Sequence, residues 1–197
     1  MDKILEGTFI RLVPLASHHA EVVVKWRNSD SAKYINRGSS TVDEQVKWIN
    51  SRPSSEFNFV IVFQDKPVGQ ISLYDISHDH RTANSGRLIL DSNVPKGIPI
   101  TFEAILLVHR LAFYDLRLNK VSGIVAGNNI GVVKLNDFIK MKREGVLRQH
   151  FIFNSSPQDG IVFGLLRDEF LKEQEPLLSR IVRLARGNPT QRAQFGD

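Results

Sequence analysis

The segment 99–116 constrains the fold most. Ala104, Leu107, Val108, Leu111 and Ala112 recur there at spacings of three and four, which predicts a long helix with one apolar face. Runs rich in β-branched and aromatic residues flank it on both sides. Residues 57–63 and 68–74 read as strands joined by the turn Gln64-Asp65-Lys66-Pro67, 85–91 as a further strand, and 121–126 as a short apolar one. Strands alternating with helices predict an α/β domain.

The outer segments extend the pattern. Residues 7–13 alternate as a strand, Pro14 ends it, and Ser17 is positioned to cap a first helix reaching Asn28. Thr41-Val42-Asp43-Glu44 has the spacing of a capping box, so a second helix runs to Ser51 and Pro53 closes it. Asn128 or Asn129 caps a helix reaching Lys140. Residues 149–154 and 161–166 make a final hairpin around a turn-rich loop. The expected order is βααβββαβαββ, spanning residues 1–167. Beyond it, Leu177, Leu178, Ile181, Leu184 and Ala185 form the apolar side of a helical extension at 168–186, interrupted by Pro176. Such a face is costly to leave bare, so it is expected to dock on this domain or on a second copy, making a homodimer. Residues 187–197 are expected to be a disordered tail.

A chain of 197 residues with 42% hydrophobic content can bury one sizeable core. It has no cysteine, which excludes disulfides, thiolate metal sites and a cysteine nucleophile. Its apolar stretches fall far short of the roughly 20 residues of a membrane span. The first six residues include acidic ones and no apolar core, so a cytoplasmic protein is expected. The net charge of +5 is weighted toward Arg180, Arg183, Arg186 and Arg192, with only Asp197 against them. That is the pattern of a solvated tail rather than a nucleic-acid surface, although a basic chain also suits anionic ligands.

Three stretches carry a resemblance to a known family. Residues 129–135, Asn-Ile-Gly-Val-Val-Lys-Leu, followed by Glu144-Gly145-Val146-Leu147-Arg148, resemble the asparagine-started helix and its exit in the GNAT acetyltransferase superfamily. Lys140 and Met141 replace that exit's Gly and Phe. Lys96-Gly97-Ile98-Pro99 stands between a strand and a long helix, where the family keeps its pyrophosphate loop. Trp26-Arg27-Asn28 and Gln45-Val46-Lys47-Trp48 resemble the branch that acetylates nucleotide-linked amino sugars, and Leu166-Arg167-Asp168-Glu169-Phe170 resembles the ending of the ribosomal-protein branch. The resemblance implies a GNAT fold, a mixed twisted sheet of about seven strands flanked by about four helices. It also implies acetyl-CoA as cosubstrate, no metal, and direct attack by a primary amine in a ternary complex. The acceptor would be a small molecule, a nucleotide-sugar, with a protein N-terminal amine as the alternative. A catalytically degenerate CoA-binding module is the competing reading.

The first turn of a helix binds phosphate through free N–H groups and the helix dipole, and a preceding glycine permits close approach. Gly97, Ile98, Ile100 and Thr101 are candidate donors with Lys96 as a point charge, although an ordinary turn into a helix explains the same residues. Pro99 supplies no N–H, and Val94 replaces the family's Gln or Arg. The resemblance implies that Leu88, Ile89 and Leu90 offer backbone groups to the pantetheine arm and that Asn129 contacts its amides. Core packing and simple helix capping account for these residues equally well.

Acetyl transfer needs a neutral amine, hydrogen-bond donors for the oxyanion and a proton for the leaving thiolate. The resemblance puts the oxyanion donor on the backbone near Leu90. It also implies a tyrosine acid where this chain has Asn136, and a glutamate base where it has Asn84. His78 and His80, near Asp75 and Asp79, are the remaining titratable candidates; a weak metal pair or an exposed polar loop are the alternatives. His109 reads as a surface or packed residue of the long helix. Trp26, Arg27, Tyr34 and Trp48 form a possible wall for a nucleotide-sugar, with Arg27 as a phosphate fork, or else belong to the core.

Overall fold

The computed structural model describes residues 3–29, 32–34, 38–53 and 55–187. Most of the tail expected at 187–197 lies outside the described residues.

β3 (Phe57–Phe63) organises the fold, because both of its faces are covered. Phe57, Phe59, Ile61 and Phe63 point into one core, while Val60 and Val62 point into the other, following the two-residue period of a strand. Around it β1 (Leu5–Glu6), β2 (Ile10–Pro14), β4 (Lys66–Ser77), β5 (Thr82–Leu90), β6 (Lys120–Ala126), β7 (Lys142–Phe153) and β8 (Ser156–Leu166) build one eight-stranded sheet in the order β1-β2-β3-β4-β5-β6-β8-β7. Every neighbour is antiparallel except β5 and β6, which run parallel and are joined through a helical crossover.

α1 (Ala20–Arg27) and α2 (Val42–Asn50) pair on one face, where Val23 and Trp26 meet Val60, Val62 and Ile89. α3 (Ile100–Arg110), extended by a π-helical turn at Leu111–Asp115, covers the other face with Ala104, Val108 and Ala112 fully buried. Glu103 on α3 is buried, and its carboxylate accepts the backbone N–H groups of Thr8, Phe9 (2.9 Å) and Ile10 (3.2 Å). These bonds fasten the edge hairpin to α3. α4 (Ile130–Phe138) follows β6, and α5 (Arg167–Glu169), a π-helical turn at Phe170–Gln174 and α6 (Glu175–Arg186) close the chain against α3.

The mixed α/β sheet, the capping box and most elements match expectation. Thr41 accepts from the Glu44 N–H, and the Glu44 carboxylate takes the Thr41 N–H in return. Four details differ. A short β1 adds an eighth strand. Ser17 does not cap α1; it sits in a 3-10 turn and donates to Asn50 Oδ1 at 2.9 Å, tying α1's entry to the end of α2. β7 begins at Lys142, because its solvated residues carry no apolar alternation to read. In the C-terminal segment Phe170, Gln174, Leu178 and Val182 make the buried stripe at four-residue steps, while Leu184 is 62% exposed. Pro176 falls at the start of α6, where its missing N–H costs nothing, so the helix is not interrupted.

Candidate active site

β5 and β6 pair at only three positions: Thr82 with Lys120, Ala83 with Val121, and Asn84 with Ser122. Beyond that rung the strands diverge, although β5 continues to Leu90 and β6 to Ala126. Irregular pairing between β4 and β5 accompanies the divergence, and Arg87 adopts a positive φ of 55° within it. Bulges of this kind bend a strand and re-aim a side chain. The gap holds a cavity of about 550 Å³, bounded by Ser85, Gly86, Arg87 and Leu88 on one strand and Gly123–Ala126 on the other. Asn129 at the start of α4, Val132 and Asn136 within it, and Ile105 and His109 of α3, line it further.

One end of the cavity is cationic and aromatic. Arg87 Nη1 donates to Glu56 Oε2 and to Asn58 Oδ1, both at 2.9 Å, and its guanidinium lies 4.0 Å from the Tyr74 ring centroid. Trp48 is approached by Arg52 at 4.6 Å, Arg27 at 5.5 Å and Arg87 at 5.6 Å. Burial, and then the like charge of Arg87, lowers the pKa of Arg27. Glu56 would be raised by burial, but the bonds from Arg87 and Asn58 and the charges of Arg87 and Arg52 together hold it below its usual value. Arg27, Lys33 and Arg87 line the cavity, and among the described residues no carboxylate does.

The lining also includes the apolar side chains of Ile71, Ile105, Ile139 and Met141, together with the ring of His109. Burial pushes that imidazole down to about 4, against a smaller opposing effect of Gln174, so the ring is neutral.

The start of α3 follows β5 in sequence, and farther along the helix Ile105 and His109 reach the cavity. Gly97 has a φ of 94°, the left-handed region open to glycine. The helix ladder starts with the Glu103 N–H bonding to Pro99 O, which leaves the Thr101 and Phe102 N–H groups ahead of it.

Residues 10–139 match the model of the acetyltransferase (GNAT) domain family. The chain belongs to the GNAT acetyltransferase family. It is 30% identical over 148 residues to the SPbeta prophage-derived uncharacterized N-acetyltransferase YokL of Bacillus subtilis (strain 168), covering 73% of this chain and 79% of that protein. Solved structures share the fold. A GCN5-related N-acetyltransferase from Brucella melitensis superposes with a TM-score of 0.76 at 18% identity, covering 96% of this chain and 87% of that one. A mutant of the spermidine N-acetyltransferase SpeG from Vibrio cholerae gives 0.73 at 22% identity, covering 84% and 98%. This GNAT chain is therefore an acetyl-CoA-dependent N-acetyltransferase.

Within the GNAT domain the residues singled out from sequence separate into two groups. Arg27, Tyr34, Leu88, Asn129 and Asn136 converge on the cavity. Asn129 also caps α4, its Oδ1 accepting from the Val132 N–H. Lys96, Gly97 and Thr101 lie at the entrance to α3, with Ile98 half-buried against the core, whereas the Ile100 N–H is taken by Ile98 O at 2.9 Å. Residues 85–88 of β5 line the cavity, whereas Ile89 is buried in the α1 core and Leu90 is not part of the lining. Trp26 is buried, its Nε1 donating to Asp91 Oδ2 at 3.0 Å, and Trp48 backs the arginines from behind the cavity lining. Asn84 pairs with Ser122 and donates to Asp75 Oδ2 at 3.0 Å. His78 and His80 sit on an exposed turn outside the lining, and the described residues hold no cluster of potential metal ligands. Arg87, Tyr74, Phe151 and His109 line the cavity without having been singled out as site residues. A left-handed arginine in a strand and a contact to residue 174 leave no local signature in sequence.

Proposed function

We propose that this N-acetyltransferase transfers acetyl to a primary amine on an anionic small molecule, most specifically a nucleotide-linked amino sugar. The observation that carries the reading is the cationic lining of Arg27, Lys33 and Arg87 with no carboxylate among the described lining residues. Two guanidiniums held near one indole suit a phosphate beside a planar base, since arginine binds phosphate as a fork and stacks on rings. A polyamine such as spermidine, which the Vibrio cholerae neighbour acetylates by its name, would meet like charges at this wall.

In this reading the pyrophosphate of acetyl-CoA lies at Lys96–Thr101, where Gly97 lets backbone come close and the first turn of α3 offers N–H groups. The pantetheine arm runs along residues 85–88 on the side of β5 where pairing with β6 has ended, with Asn129 at its side. The cosubstrate supplies a thioester carbonyl. N–H groups of β5 that face the gap hold the developing oxyanion, and the walls orient the amine for direct attack. Asn84 and Asn136 neither take nor give a proton at neutral pH, so as the C–N bond forms and the C–S bond breaks, water takes the proton lost by the amine and supplies the one gained by the departing CoA thiolate. Exposed His78 and His80 are available to relay them at the surface.

A thioester-consumption assay against amino-sugar nucleotides, peptides with free N-termini and polyamines tests this. Turnover confined to the nucleotide-linked sugars is expected. Preference for polyamines refutes the anionic acceptor, and preference for peptides favours the N-terminal amine instead.

A further inference from the structure

The family match ends at residue 139, yet a later segment reaches the cavity wall. The π-helical turn Phe170–Gln174 inserts Gln174, fully buried, between α3 and the end of α4. Gln174 Nε2 donates to the carbonyl oxygen of Ile139 at 2.6 Å. A backbone carbonyl only accepts, so this bond orients the amide and turns Oε1 toward His109 Nδ1, 2.6 Å away. An amide oxygen also only accepts. Nδ1 therefore carries the ring proton, and Nε2 is a bare lone pair.

The imidazole is 1% exposed and held edge-on by Phe113 and Phe170, with centroids 6.2 and 6.4 Å away. Among the described residues Nε2 has no hydrogen-bond partner. Because Nδ1 faces the C-terminal helix while the ring lines the cavity, the Nε2 edge is the one presented inward. Of the residues that line the cavity with it, Ile71, Ile105, Ile139 and Met141 provide no N–H or O–H from their side chains. An unpaired acceptor that opens on the cavity suits a ligand that brings a donor to it.

We propose that His109 is the hydrogen-bond acceptor of the inner cavity, receiving an N–H of the bound reactants, and that Gln174 is the positioning residue that fixes its tautomer. The inference rests on the reading that acetyl-CoA occupies the β5–β6 gap. N–H donors reach that gap from two sources, the pantetheine amides and the attacking amine. A neutral ring that resists protonation serves as a fixed acceptor and not as a base. The C-terminal helix is then a structural part of the active site.

Nitrogen NMR on protein with labelled histidine and labelled methionine methyls tests this with CoA alone and with CoA plus ethylamine. The Met141 methyl reports filling of the cavity. The free protein should show His109 as the Nδ1–H tautomer, and its Nε2 resonance should move as a ligand fills the cavity. Movement with CoA alone assigns the donor to a pantetheine amide; movement only in the presence of ethylamine assigns it to the amine. A shifted Met141 methyl with an unmoved Nε2 in both arms overturns the proposal. If neither moves, it is the placement of CoA in the gap that fails. Gln174→Leu should populate both tautomers, and Gln174→Glu, which still accepts from Nδ1–H, should restore the single form. A pure Nδ1–H signature in folded Gln174→Leu overturns the positioning role.

Discussion

Ser85 and Gly123 stand one residue past the last paired rung of β5 and β6, and a Cβ built on Gly123 would lie 3.2 Å from the Ser85 carbonyl oxygen. The gap is therefore kept open at its narrow end by the absence of a side chain. Gly123→Val should narrow it and weaken acetyl-CoA binding about tenfold or more, a loss of roughly 1.4 kcal/mol. Calorimetric titration of the folded variant checks this. An unchanged Kd would mean that the arm does not pass between these residues.

Gly97 offers an independent test at the other end of the cosubstrate. At φ 94° a β-branched residue is strained, and its side chain would stand where the backbone is to meet phosphate. Gly97→Val should lower acetyl-CoA affinity by about an order of magnitude, with the loss reduced for a fragment lacking the pyrophosphate. Equal losses for whole cosubstrate and fragment would assign the effect to general distortion.

Arg87 should govern the acceptor. Lysine in its place keeps the charge but cannot donate to Glu56 and Asn58 while stacking flat on Tyr74. Arg87→Lys is expected to raise the acceptor KM about tenfold with the KM for acetyl-CoA nearly unchanged. A matching rise for both reactants would show that the wall is not specific to the acceptor.

The frame of the fold was legible because it depends on local rules. Alternation in β3, the Thr41–Glu44 box and the three-and-four spacing of α3 are each written within a dozen residues. β7 was half-missed, since its first half is solvated and carries no pattern. Of the cavity lining, Asn129 and Arg27 could be named from sequence, because they stand in stretches that resemble the family. Arg87 could not, because its position depends on a left-handed backbone imposed by irregular pairing with β4. His109 reads in sequence as a surface or packed residue, because its partner Gln174 lies 65 positions away.

Asn136 lines the cavity from α4 yet has no proton to give. If the walls and the β5 backbone do the work, Asn136→Ala should change kcat by no more than about tenfold, below the roughly 10²–10⁴-fold of general acid–base groups. A loss of several hundredfold, inside that range, with acetyl-CoA affinity intact would give the asparagine a direct chemical role.

Acid should expose the cost of burying His109. Burial lowers its folded pKa from the ordinary 6.5 to about 4, a change that the Gln174 bond only partly opposes. The unfolded chain therefore binds this proton more readily than the folded one, and the sign follows: stability is whole above about pH 6.5 and falls as pH drops toward 4. The full difference amounts to roughly 3 kcal/mol. Carboxylates such as Glu56 and Asp91, themselves held low, lose their contribution only further down the same range. Comparing the native protein with His109→Gln isolates the histidine, because those carboxylates are common to both. Denaturant unfolding at half-unit steps from pH 7 to 4.5 should show the native protein losing stability faster than His109→Gln. Parallel curves would mean that the ring takes up a proton in the folded protein as readily as in the unfolded chain, and would remove the fixed-tautomer argument with it.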